Sequence, residues 1–282
     1  IHTLFSDYGK VDLLWADYSG PQCQGSSWDA RGILDNLRKL QPDVVVNNRF
    51  WAGPENPYGD FFTPEKYIPA TGFDGRAFEV CYTLNESFGF SYHDHNWKSG
   101  KKVTHLLIDI VSKGGNLLMN VGPDRFGRIP EPSIQALKET GAWLKIHGDA
   151  IYGTTASPFP KLPFDGRCTV KTDAQGQTRL FLHLLSQPSS GKILVPGLET
   201  PVSSATLMSS GKELAMERSE FGLQIHIPGE ANNPIAEVVE LKLDGDLNVT
   251  PLSIVMQAAD RSVRFSATDA FLSGPGLTVS KP

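Results

Sequence analysis

Short apolar runs alternate with amphipathic stretches along the first 150 residues of the chain. Residues 9–17 end in a run rich in Val, Leu and Trp that closes on an acid, which predicts a parallel strand buried on both faces. Residues 29–40 carry Leu and Ile at helical spacing, and residues 44–49 begin with three valines that predict the next strand. A strand, a helix and a second strand in this order predict a parallel pair.

The same alternation continues after a long interruption. Residues 50–76 are rich in Gly, Pro and aromatic side chains and predict a long loop, which in a compact domain is usually functional. Strands are predicted at residues 78–83 and 116–121, and amphipathic helices at 101–113 and 134–146. The first half of the chain is therefore expected to be an α/β unit built on parallel strands.

The pattern changes near residue 153, where a Pro-rich stretch precedes short strands separated by turns. Regular spacing of such strands predicts an antiparallel β-sandwich. The expected division is 1–154 for the α/β unit, 155–244 for the sandwich, and 245–282 for a tail that begins a further β-module. The strand-like runs are residues 167–171, 178–185, 192–196, 223–227 and 236–242, with 252–256 and 262–266 in the tail.

Composition and charge narrow the classes of partner. The formal net charge is -5 and no basic stripe is present, which argues against nucleic acid or an anionic membrane as partner. No apolar run reaches the roughly 18 residues that a membrane helix requires. Cys23, Cys81 and Cys168 form neither a disulfide framework nor a metal motif, and His93 and His95 have no convincing third ligand, so neither metal nor cofactor is expected.

Two carboxylates stand out by their positions along the chain. Asp17 falls at a predicted strand end, where β/α barrels place catalytic groups, and Glu65 lies in the long loop. Glycoside hydrolysis uses such a pair, one as nucleophile or base and the other as proton donor. Aromatic side chains around both acids suit sugar rings, although any barrel enzyme can carry acids at its strand ends.

Six motifs in order cover residues 8–154 almost without a break, and together they resemble the retaining α-L-fucosidases of glycoside hydrolase family 29. They are YGKVDLLWAD, VVVNNR, GDFFTPE, FEVCYTLNESFGF, VSKGGNLLMNVGPDRFGRIP and GAWLKIHGDAIYGT. The resemblance implies the C-terminal half of a (β/α)8-type barrel followed by an antiparallel β-sandwich. It also implies an exo-α-L-fucosidase that removes terminal fucose through a covalent fucosyl-enzyme.

The resemblance assigns roles to individual residues. Asp17 matches the family's nucleophile. Glu65, in Thr-Pro-Glu, matches the general acid/base of many members, and Glu79 in the FEVC motif is the competing candidate. The side chains that match substrate-binding positions of the family are Trp15, Arg49 and Phe88.

The family carries a further stretch before the nucleophile strand, with the first barrel strands and several fucose-binding side chains. The chain, which begins at Ile1, lacks that stretch, so we expect a fragment whose activity alone is in question. The implied partner is a fucosylated oligosaccharide or glycoprotein, and a homo-oligomer remains open. The resemblance implies secretion, a periplasm or a lysosome for the full-length protein. The alternatives are a non-catalytic fucose-binding or structural derivative of the fold, and a hydrolase of another sugar.

Overall fold

The computed structural model describes residues 1–17, 25–50, 59–73, 75–229 and 233–251. Cys23 and the strands predicted at 252–256 and 262–266 lie outside these residues. The helices are α1 (His2–Ser6), α2 (Ala30–Leu40), α3 (Gly100–Val111) and α4 (Glu131–His147). Short 3-10 turns cover Gly25–Trp28, Asn48–Phe50 and Gly148–Ala150. Within the described part of the chain, no helix has the length and apolarity needed to cross a membrane.

The first half of the chain is built on parallel strands. β1 (Leu13–Leu14) pairs with β2 (Val45–Val46), and β3 (Phe78–Thr83) pairs with β4 (Gly115–Asn120). Residues 61–65 run between β2 and β3 and join the two pairs through single parallel bridges, although the sequence predicted only a loop there. The bridges are Asn47 with Phe61, Phe62 with Phe78, and Glu65 with Cys81.

One face of these strands packs on helices, and the other leaves several apolar side chains exposed among the described residues. Phe78 and Val80 of β3 are buried against Ile110 of α3. Register neighbours on parallel strands share a face, so Leu118, which pairs with Cys81, lies on the opposite face with Glu65.

That second face also exposes apolar side chains of the first two strands. Leu13, the register partner of Val45, is 45% exposed, and Val45 and Leu118 are exposed as well. The prediction that residues 9–17 form a strand buried on both faces is therefore wrong, and the prediction of a buried strand at 116–121 is wrong on one face. Both strands lack a covering layer on this side among the described residues.

The second half of the chain contains two antiparallel sheets, as expected for a β-sandwich. One has the strand order β5-β6-β12-β8-β9 and the other β10-β11-β7. Their strands are β5 (Gly166–Thr172), β6 (Thr178–Leu184), β7 (Lys192–Pro196), β8 (Val202–Leu207), β9 (Lys212–Glu213), β10 (Met216–Ser219), β11 (Gly222–His226) and β12 (Glu237–Leu243). The sequence pattern missed β8, β9 and β10, which are polar or mixed in composition.

Apolar side chains from both sheets form one core, and α4 docks against the larger sheet. Trp143 of α4 donates a hydrogen bond from Nε1 to the carbonyl of Ala236 over 2.8 Å, within an apolar cluster that includes Phe181. Leu247 and Val249 pack on the sandwich core, so the first residues after 244 lie against it. The division into 1–154, 155–244 and 245–282 stays a prediction.

Candidate active site

Arg49 lies between the two candidate carboxylates. Its Nη1 donates to Asp17 Oδ1 over 2.7 Å, and its Nη2 lies 3.5 Å from Glu65 Oε2. The Arg49 side chain is only 16% exposed, whereas those of Asp17 and Glu65 are 52% and 46% exposed. A mostly buried cation thus holds two carboxylates whose outer surfaces remain accessible to a ligand.

The guanidinium of Arg49 is itself held by Thr63. Arg49 Nε donates to Thr63 Oγ1 over 3.0 Å, and Nη2 donates to the Thr63 carbonyl over 3.2 Å. The Thr63 hydroxyl donates its only proton to Asn48 Oδ1 over 2.9 Å, so its lone pairs are left to accept from Arg49. Asn48 Oδ1 also accepts the backbone N–H of Thr63 over 2.9 Å.

Asn47 fixes the end of the strand that carries Asp17. The Asn47 side chain is fully buried, donates from Nδ2 to the Ala16 carbonyl over 2.8 Å, and accepts the Ala16 N–H over 2.9 Å. This two-way pairing satisfies both backbone groups of the residue that precedes Asp17. The position of the nucleophile candidate is thereby defined by a side chain of the neighbouring strand.

Trp15 and Glu79 complete the cluster. Trp15 Nε1 donates to Glu79 Oε1 over 3.0 Å, and the Arg49 Cζ lies 4.5 Å from the centroid of the Trp15 ring. The indole therefore contacts the cation on its face and the second acid at its nitrogen. One oxygen of Glu79 is occupied by this hydrogen bond, while Glu65 faces Arg49 and solvent.

Cys81 lies beneath the guanidinium. Its Sγ is 3.7 Å from Arg49 Nη2, and the residue is buried. Burial raises the pKa of the Cys81 thiol, and the nearby Arg49 only partly opposes that shift. Cys81 is therefore a neutral thiol at physiological pH and has the character of a packing group rather than of a nucleophile.

Phe88 lies in the loop between β3 and α3, and Lys66 lies between its ring and the site. The Lys66 Nζ is 4.9 Å from the centroid of the Phe88 ring, and Lys66 directly follows Glu65. The structure thus gathers Trp15, Asp17, Arg49, Glu65 and Glu79 into one cluster, with Phe88 at its border. No group of three or more His, Cys, Asp and Glu side chains suited to a metal occurs among the described residues.

Sequence reasoning missed four polar side chains of this cluster: Asn47, Asn48, Thr63 and Cys81. The two asparagines precede Arg49 directly, and Thr63 precedes the Pro-Glu pair, so the quoted motifs contain all of them. Their roles depend on which groups face them across neighbouring strands. The spacing of residues along the sequence does not show which groups those are.

Parallel strands that place two carboxylates and an arginine at one edge, followed by a β-sandwich, form an arrangement that suits a glycoside hydrolase. The chain belongs to the α-L-fucosidase family, because the model of that family, described as Alpha-L-fucosidase, matches residues 1–149. The curated alpha-L-fucosidase of Dictyostelium discoideum is 27% identical over 235 residues, covering 80% of this chain and 48% of that protein. The chain spans about half the length of the curated relatives that it matches over most of its own length.

Solved structures of alpha-L-fucosidases also superpose on most of this chain. Alpha-L-fucosidase isoenzyme 1 from Paenibacillus thiaminolyticus superposes with a TM-score of 0.75 at 35% identity, over 86% of this chain and 60% of that one. The alpha-L-fucosidase from Vibrio sp. strain EJY3 superposes with a TM-score of 0.80 at 27% identity, over 97% of this chain and 48% of that one. The fold described above is therefore that of these enzymes over the matched part.

Proposed function

We propose that the protein is a retaining exo-α-L-fucosidase that removes terminal α-L-fucose from oligosaccharides or glycoconjugates. The observation that carries the proposal is the single guanidinium of Arg49 that joins Asp17 to Glu65. Two carboxylates bridged by one guanidinium are close neighbours, and retaining glycosidases hold their pair closer together than inverting ones do. The alpha-L-fucosidase family to which the chain belongs supplies the identity of the sugar.

In this proposal Asp17 attacks the anomeric carbon of fucose and expels the leaving group, which forms a glycosyl ester. Glu65 protonates the departing oxygen, and then takes a proton from the water that hydrolyses the ester with net retention. The hydrogen bond from Arg49 Nη1 holds the Asp17 carboxylate in place before attack. Glu65 is favoured over Glu79 as the acid/base because the Trp15 N–H occupies one Glu79 oxygen, whereas Glu65 is open to solvent.

We further propose that the parallel unit is the C-terminal half of a (β/α)8-type barrel and that the chain is a fragment of the enzyme. The exposed face of Leu13, Val45 and Leu118 supports this, since the interior of a closed barrel is filled by side chains. The half-length match to the relatives supports it as well. Preceding strands would then cover this face and add side chains that hold the sugar.

The test is turnover of an aryl α-L-fucoside by two proteins. One is the 282-residue chain, and the other is an extended form, in which the preceding barrel strands of the Paenibacillus thiaminolyticus relative are joined to Ile1. We expect turnover by the extended form alone. Turnover by both would contradict the half-barrel, and turnover by neither would contradict the function.

The nucleophile is tested by Asp17→Ala in the form that is active. We expect the rate to fall by about 10⁴-fold or more, as for other catalytic nucleophiles, and azide to restore turnover with formation of the inverted fucosyl azide. Asp12→Ala is the matched control, because Asp12 belongs to the same segment and pairs with Lys10 at the surface. A non-catalytic fucose-binding derivative would show equal, negligible rates for all three proteins.

A further inference from the structure

The loop between β3 and α3 presents aromatic rings to solvent. Phe90 is 36% exposed and Tyr92 is 67% exposed, and their ring centroids lie 4.8 Å apart with an interplanar angle of 87°. Exposed aromatic rings do not contribute the free energy that burial of apolar surface would give. Neighbouring apolar side chains at a protein surface are typical of a ligand or partner site. No role in the catalytic cluster accounts for these two side chains.

Hydrogen bonds hold this loop in one shape. Asp94 Oδ2 accepts the backbone N–H groups of Glu86 over 2.8 Å and Ser87 over 2.9 Å. Asn96 Nδ2 donates to the Glu86 carboxylate over 2.7 Å, and Asn120 of β4 donates to the Phe88 carbonyl over 2.7 Å. The segment that carries the rings is therefore held on both sides, which lowers the entropy lost when a ligand binds.

The loop lies on the Glu65 side of the catalytic cluster. Lys66, with a positive φ of 51°, turns the chain directly after Glu65 and donates from Nζ to the Glu86 carbonyl over 2.6 Å. Along the sheet edge the order is therefore Asp17, Arg49, Glu65 and then the loop. A general acid lies beside the oxygen of the leaving group. The leaving group is therefore expected on the side of Glu65 that faces away from the nucleophile and towards this loop.

We propose that Phe90 and Tyr92 form a stacking platform for the pyranose ring of the leaving-group sugar. The C–H face of a neutral pyranose is apolar and flat enough to lie on an aromatic ring, and the Tyr92 hydroxyl adds a hydrogen-bonding group at the edge. The platform makes the enzyme select fucosides whose aglycone is a sugar. This inference rests on the proposed function, because the platform has a leaving group to hold only if Glu65 protonates one.

The test compares two substrates in the active form of the protein. One is a fucosyl-galactose disaccharide, whose leaving group is a sugar. The other is α-L-fucosyl fluoride, whose leaving group is a fluoride ion. For the double variant Phe90→Ala/Tyr92→Ala we expect kcat/KM on the disaccharide to fall about 10-fold, given the strength of aromatic contacts. On fucosyl fluoride we expect kcat/KM to stay within twofold of the parent.

The control is Phe221→Ala, which removes an exposed ring from the turn between β10 and β11 of the sandwich. It should change neither substrate. An equal loss on both substrates, or no loss on the disaccharide, would overturn the platform while fucosyl fluoride turnover by the parent keeps the proposed function intact. A parent protein that cleaves neither substrate would overturn the function, and the platform with it.

Discussion

Arg49 is fastened to Thr63 at two atoms, with Nε on the hydroxyl and Nη2 on the carbonyl. The two contacts fix the plane of the guanidinium before any sugar enters, because a fork of N–H groups that meets two acceptors loses its freedom to rotate. The remaining nitrogen, Nη1, then points at Asp17. A threonine that touches neither carboxylate thus determines where the cation between them lies.

Replacing Thr63 should therefore impair catalysis through Arg49. We expect Thr63→Val to lower kcat about 10- to 100-fold, because a small misplacement of a positioning group has effects of this size. Thr63→Ser keeps the hydroxyl and should restore most of the rate. The measurement is steady-state kinetics on an aryl fucoside with the active form of the protein.

A double-mutant cycle with Arg49→Lys separates positioning from a general loss of structure. If Thr63 acts through Arg49, Thr63→Val should add little once Arg49 is replaced, since interacting residues are non-additive. Thr104→Val is the matched control, because Thr104 is a buried threonine of α3 that hydrogen bonds to Thr140. Additive losses, or a similar loss of kcat for the Thr104 variant, would refute the positioning role.

Glu65 and Glu79 should respond differently to conversion to glutamine. Glu65→Gln removes the proton donor, so we expect a 10²- to 10⁴-fold loss on disaccharides and a much smaller loss on fucosyl fluoride, whose leaving group needs no proton. Glu79→Gln keeps an oxygen that can accept the Trp15 N–H, so its loss should be modest on both substrates. The measurement is the kcat/KM on fucosyl fluoride divided by the kcat/KM on the disaccharide. If this ratio is larger for Glu79→Gln than for Glu65→Gln, the assignment of the acid/base is reversed.

Gly115 at the start of β4 should not tolerate a side chain. A Cβ built there would lie 2.3 Å from Cε2 of Phe78, a buried ring whose residue is its register partner in β3. Overpacking of this kind costs about 1–3 kcal/mol, so we expect Gly115→Ala to lower the free energy of unfolding by that amount.

The matched control for this substitution is Gly141→Ala in the middle of α4, where a Cβ would meet nothing within 4 Å. Alanine favours helix over glycine by about 1 kcal/mol, so this variant should be stabilised. Urea denaturation of both variants measures the difference. A Gly115→Ala protein as stable as the parent would show that the Phe78 ring can move aside.

The hydrophobic pattern was a good guide where packing and periodicity agree. The helices at 30–40, 100–111 and 131–147 and the strand at 78–83 were predicted within a few residues, because each buries one apolar face. The segment 61–65 was missed as a strand-like element, since its Phe, Thr, Pro and Glu side chains carry no period-two apolar signal and only its neighbours supply the hydrogen bonds.

The candidate site divides in the same way. Asp17 could be chosen from the sequence because it follows an apolar run, and Glu65 because it lies in the long loop; the motifs around both resemble a family. The hydrogen bonds of Thr63 to Asn48 and to Arg49 could not, because residues 14 or 15 positions apart meet only once the strands are paired. Long-range geometry of this kind follows from strand order and register rather than from local composition.

His183 should make the stability of the protein depend on pH. Its side chain is fully buried in β6, and its Nε2 lies 3.1 Å from Thr169 Oγ1, whose own proton is donated to the Ala150 carbonyl. His183 therefore donates from Nε2. Burial, and secondarily the neighbouring His147, lowers the pKa of His183 to about 3.

In the unfolded chain a histidine has a pKa near 6.5, so between pH 3 and 6.5 the unfolded state binds one more proton than the native state. The native state is thus favoured above pH 6.5, and His183 makes stability fall by about 1.4 kcal/mol for each pH unit below it. We expect the free energy of unfolding, measured by urea denaturation between pH 4.5 and 7.5, to fall less steeply on acidification in His183→Gln than in the parent. Thr104→Val, which removes no titrating group, should give a curve parallel to that of the parent. Parallel curves for all three proteins would mean that His183 is protonated in the native state, which its full burial and the lack of a hydrogen-bond partner at Nδ1 among the described residues argue against.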